Sequence, residues 1–67
     1  MDGREWVVRF AADLGVEPLD DATIETLLAL AGAAAHSSER IAAPLACYLV
    51  GRAGADPAEV LARLEAG

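Results

Sequence analysis

His36-Ser37-Ser38-Glu39-Arg40-Ile41-Ala42-Ala43-Pro44-Leu45 is the one stretch of this chain where titratable and hydroxyl side chains gather away from a helix cap. It divides two strongly apolar segments. Upstream, Leu27 to Ala35 contains no charged residue; downstream, Leu45, Cys47, Tyr48, Leu49 and Val50 follow almost without interruption. Neither segment alternates as a half-buried strand would, and both are rich in residues that favour helix. The stretch therefore reads as a corner between two core helices. Proline has no amide to donate in a helix interior and fits the first helical turn. This places Ala43 near the cap of a third helix, with Pro44 at its first position, a run to about Ala53, and Gly54 as the stop.

Working outward, the second helix is expected to start at a cap on Asp20 or Asp21, whose charge also suits the helix N-terminus. Its broad apolar face is Ile24, Leu27, Leu28, Ala31 and Ala34 or Ala35, with Leu30 to the side. Gly32 costs a helix about 1 kcal/mol relative to alanine. It is therefore expected to mark a close crossing, with Gly51 facing it. The first helix begins with Asp2 and Glu5 spaced as a capping box, and Gly15 supplies the left-handed residue that ends it. Trp6, Val7, Phe10, Ala11 and Leu14 form one stripe at spacings of three and four, so Trp6 and Phe10 are expected as core anchors. Val16 to Leu19, with Pro18, is a connector. Asp56-Pro57-Ala58-Glu59 sets a cap, a first-position proline and a third-position acid in order. Val60, Leu61 and Leu64 then form the inward stripe of a fourth helix. The expected fold is all-α, a compact bundle of four short helices in a single domain over residues 1–67.

At 67 residues and 55% hydrophobic content, much of it alanine, such a bundle buries only roughly 60% of its unfolded surface. Self-association or docking on a partner is therefore expected, most simply a two-fold dimer through the third helix around Leu45, Leu49 and Gly51. A net charge of −6 with no lysine repels phosphate backbones and anionic lipid, so neither nucleic acid nor membrane is an expected partner. A single cysteine provides no internal disulfide. Met-Asp-Gly-Arg-Glu lacks the pattern of a secretion signal, and cytoplasmic location is the expectation.

Little dedicated chemistry is visible. One histidine and one cysteine eleven residues apart do not make a metal set, and no cofactor is implied. Cys47 lies in an apolar helix, where a free thiol is ordinarily packing. Glycines 51 and 54 lack the lysine of a phosphate loop. Ser37 and Ser38, in Ala-His-Ser-Ser-Glu-Arg, do not match the attachment site of an acyl carrier. No catalytic residue is assigned. At the corner two readings stay open. His36 and Arg40 either cap the last carbonyls of the second helix, or join Ser37, Ser38, Glu39 and Pro44 in holding a partner protein or an anion.

The run His36 to Leu45, followed by Tyr48-Leu49-Val50-Gly51, resembles a small uncharacterised bacterial helical domain. In that family a His, a few variable residues and an Arg precede Ala-Ala-Pro-Leu and an apolar stretch ending in Gly. Trp6, Leu14-Gly15-Val16 and the acidic, leucine-rich second helix fit as well. The family occurs alone or as the C-terminal tail of molybdenum-cofactor nucleotidyltransferases. The resemblance implies a non-enzymatic accessory or interaction domain in the biosynthesis or insertion of that cofactor. Its partner would be the nucleotidyltransferase or a client enzyme, and His36, Arg40, Ala43 and Pro44 would be the shared positions. The alternative is a small ligand-binding or catalytic domain using His36 and Arg40 on the phosphate of a pterin or nucleotide.

Overall fold

Four α-helices follow one another in the computed structural model, which describes residues 2–67: α1 Gly3–Leu14, α2 Asp21–Ser37, α3 Ala42–Ala53 and α4 Pro57–Ala66. The all-α bundle of four short helices expected from the sequence is what the chain forms. Its boundaries come from local chemistry. Aspartate carboxylates accept backbone N–H groups at three helix starts: Asp2 from Glu5 at 2.8 Å, Asp20 from Thr23 at 2.7 Å and Asp56 from Ala58 at 3.1 Å. Each satisfies an amide that the helix itself leaves without a partner. At Asp2 only this half of the capping box forms; Glu5 contributes its backbone amide rather than a returning side-chain bond.

Gly15 and Gly54 end α1 and α3 at φ of 75° and 67°. After α1, the Gly15 N–H donates to Ala12 O and the Val16 N–H to Ala11 O, both at 3.0 Å. Gly54 and Ala55 repeat the pattern onto Gly51 and Val50. This paired arrangement closes a helix where only glycine adopts the left-handed conformation without cost. Pro44 lies two residues deeper than expected. Helix α3 already starts at Ala42 behind Ile41, so the proline is its third residue, still within the first turn, where no helical acceptor is available for its missing amide.

Helix α2 is the hub, packing along both α3 and α4, while α3 and α4 touch more sparingly. The core is built of small residues: Ala11, Leu30, Ala34 and Val50 are the buried apolar side chains, and Leu30 is fully enclosed. This corrects the placement of Leu30 at the side of the apolar face. Facing α3 and α4 together turns the buried arc of α2 toward Thr23, Leu27, Leu30 and Ala34, away from Leu28, which is exposed. The glycine crossing is also corrected. Gly32 and Gly51 are both exposed, and a Cβ built on either meets nothing within 4 Å.

The largest correction concerns α1. None of its Cα atoms comes within 8 Å of a Cα in another helix. Its contact with α2 is made by side chains. Val7 is half-buried and Ala11 buried, and Arg4 forms ion pairs with Glu25 and, at 3.6 Å, with Asp21. Arg4, Val7 and Ala11 lie along one line of the helix, and that line is the edge of the apolar stripe rather than its centre. Trp6 and Phe10, expected as core anchors, are therefore 55% and 45% exposed, and Leu14 is exposed with them. The two rings stack on each other with centroids 4.8 Å apart. In α4, Val60 and Leu61 turn inward as expected, whereas Leu64 lies at the rim.

Candidate functional site

The corner between α2 and α3 is held by backbone bonds. Ser38 N–H donates to Ala34 O at 3.2 Å, Ala42 N–H to Glu39 O at 2.9 Å and Ala43 N–H to Arg40 O at 3.2 Å. The first bond closes α2 and the other two start α3, and none of them uses a side chain of the segment. His36, Ser37, Ser38, Glu39, Arg40 and Pro44 are all exposed. Among the described residues, no hydrogen bond or ion pair engages the side chains of His36, Ser37, Ser38, Glu39 or Arg40. The carbonyls at the end of α2 are not capped by His36 or Arg40. What the corner offers is an imidazole, two hydroxyls, a carboxylate and a guanidinium within five consecutive residues, presented to solvent.

Elsewhere a few polar side chains serve structure. The three capping aspartates serve helix starts, and Arg4 ties α1 to α2. Hydrogen bonding from the Thr23 side chain, and then from its backbone amide, holds the Asp20 carboxyl below the ordinary carboxylate range. Cys47 is half-buried, with Sγ 3.9 Å from the Leu27 carbonyl, a weak contact consistent with packing of α3 on α2. No group of three or more His, Cys, Asp or Glu side chains converges as a metal set among the described residues. No helix among them is long and apolar enough to cross a membrane.

Two apolar features lie outside the core. Because α1 stands off from α2, an open groove of about 350 Å³ lies between them, lined by Arg4, Val7, Leu19, Ile24, Leu27 and Leu28. The second is the outward side of α3, where Ile41, Leu45, Tyr48 and Leu49 are 58–68% exposed. The spacing of these four residues was visible in the sequence. Which side of α3 would face α2 was not, because the opposite side is apolar too.

A family described as a domain of unknown function (DUF6457) matches residues 1–66. The chain belongs to this family. The match spans all four helices, so the corner and both apolar features lie within the DUF6457 domain. No curated protein and no solved structure matches the chain.

Proposed function

We propose that this DUF6457 domain is a cytoplasmic, non-enzymatic interaction domain serving molybdenum-cofactor biosynthesis or insertion. It presents the α2–α3 corner to a molybdenum-cofactor nucleotidyltransferase or to a client enzyme. The observation that carries the interaction role is the uncommitted corner: five consecutive polar residues are exposed, while the backbone alone holds the turn. The pathway rests on the resemblance of His36, Arg40, Ala43 and Pro44 to the domain that also occurs behind those nucleotidyltransferases. Arg40 supplies a planar fork suited to a partner's carboxylate, and His36 and the two serines add directional bonds around it.

The test is a pull-down of the nucleotidyltransferase or its client enzymes with wild type, His36→Ala, Arg40→Ala and Arg40→Lys. Recovery of the partner should fall in all three variants while their melting curves stay at the wild-type position. Lysine should not rescue Arg40, because it lacks the second parallel donor. Equal recovery by folded wild type and folded variants would overturn the corner as the binding site. An NMR titration in which inorganic phosphate shifts the His36 imidazole signals would instead favour an anion-binding role for the same residues.

A further inference from the structure

Helix α3 is apolar on two opposite sides, and the assignment of side chains to those sides is the reverse of what a monomer needs. Its inner side, against α2 and α4, carries the small residues Ala42, Ala43, Ala46, Cys47 and Val50, all half-buried or buried. Its outer side carries Ile41, Leu45, Tyr48 and Leu49, each more than half exposed. These four follow one another at spacings of four, three and one, which makes a continuous stripe along the helix. A helix apolar all round belongs in an interior.

We propose that the outer side of α3 is covered by the same surface of a second copy, the two α3 helices running antiparallel across a two-fold axis. Two observations select this occupant. The first is area. The chain exposes 5125 Å², whereas a monomer of 6.9 kDa is expected to expose about 4,000 Å². The surplus of roughly 1,100 Å² is shared with the standing-off α1, and it is of the size, about 800 Å², that each partner contributes to a stable interface.

The second is polarity. The α3 stripe is preceded by the acid Glu39 and ends at the base Arg52, the one charged residue within α3. Antiparallel pairing sets Glu39 of each copy beside Arg52 of the other, twice by symmetry, with the Arg52 stem lying over the partner's Ile41. The exposed stripe of α1 has no such complementarity. It begins at the cap Asp2, has Arg9 and Asp13 flanking Trp6 and Phe10, and carries no base in its last turn to meet the acid at its start. For a chain of net charge −6, the acid-free α3 is also the surface on which two copies repel least. Gly51 lies about a quarter-turn from the stripe and is not part of the contact. The dimer takes up Glu39 from the corner, while His36 and Arg40, on which the pull-down turns, lie outside the stripe.

Sedimentation velocity over a concentration series tests the contact, with circular dichroism confirming that each variant is helical. Wild type should dimerise reversibly. Leu45→Glu should weaken dimerisation by about tenfold or more, since it places a charge in the middle of the buried stripe. Glu39→Arg and Arg52→Glu should each weaken it several-fold, and the two together should restore it. Phe10→Glu, on the α1 stripe, should leave dimerisation unchanged. A monomer at every concentration overturns the proposal, as does a dimer indifferent to Leu45→Glu or a failure of the charge exchange to restore association. Leu45→Glu lies outside the corner, so the dimer judged by that variant and the pull-down judged by His36 and Arg40 fail separately.

Discussion

Helices α1 and α2 bury their apolar residues in opposite fashion. Helix α2 encloses Leu30 completely and turns Ala34 inward, whereas α1 keeps only Ala11 covered and leaves Trp6, Phe10 and Leu14 outside. Both helices start on an aspartate cap, and both carry an apolar arc at helical spacing. The difference lies in what stands opposite. Helix α2 has neighbours on two sides and its centre is covered. Helix α1 has one, reached at the edge of its stripe, with Arg4 anchored on Glu25 and Asp21. Burial is a property of a helix's surroundings, and the bulkiest side chain gains only part of its hydrophobic stabilisation on a face that no other helix meets.

The sharpest way to break this contrast is to truncate one residue from each side of it. Leu30→Ala should cost about 2–5 kcal/mol, because it removes a fully enclosed side chain from a core with few others. A chain of this length has roughly 3–10 kcal/mol in total at typical per-residue stability, so the variant should lose about half of it and melt far below wild type by circular dichroism. Trp6→Ala and Phe10→Ala should each cost only about 1–2 kcal/mol, from partial burial and the loss of their mutual stacking. Urea titrations of the three variants decide the matter. An aromatic truncation as damaging as Leu30→Ala would mean that the α1 stripe is covered in solution.

The same contrast explains what could be read from the sequence. Helix number and most helix ends were legible because they depend on residues adjacent in the chain: Asp2, Asp20 and Asp56 at starts, Gly15 and Gly54 at ends, Pro57 just inside α4. The apolar arcs were legible as arcs. Their aim was not. In α2 and α3 apolar residues occupy so much of the circumference that periodicity does not fix which part faces the core, and the fully buried Leu30 was assigned to the side. In α1 the stripe was correct, but its centre points away from α2. At the corner, the composition from His36 to Arg40 marked the segment. That the backbone holds the turn without those side chains became visible only in the hydrogen bonds around Ser38, Ala42 and Ala43.

The glycines sharpen the point on a smaller scale, because two classes of glycine should respond with opposite sign. Gly32 lies within α2 in open space, so Gly32→Ala should stabilise by about 1 kcal/mol through helix propensity alone. A close crossing at this position would make the same change destabilising. Gly15 sits at φ 75°, and Gly15→Ala should destabilise by about 1–2 kcal/mol because the added Cβ strains the left-handed turn. Thermal melts of the two variants beside wild type check both signs.

The smallest expected effect concerns how α2, the hub, is fastened at its start. The Thr23 side chain and backbone amide hold the Asp20 carboxyl below its ordinary value. A carboxylate whose folded pKa is depressed contributes stability that is fully present above its unfolded pKa and is lost as pH falls through the folded value. The contribution of this cap should therefore be constant from neutral pH down to about pH 5 and should fade below the ordinary aspartate range of about 3.9. Asp20→Asn keeps a side-chain oxygen for the Thr23 amide, since asparagine caps about as well as aspartate, but it does not titrate. Melting temperatures of wild type and Asp20→Asn should thus run parallel at neutral pH and converge or cross in acid, with the wild type falling more steeply. Parallel curves through the whole acid range would show that the Asp20 carboxylate adds nothing beyond the neutral hydrogen bond. The fastening of α2 would then rest on its packing against α3 and α4 alone.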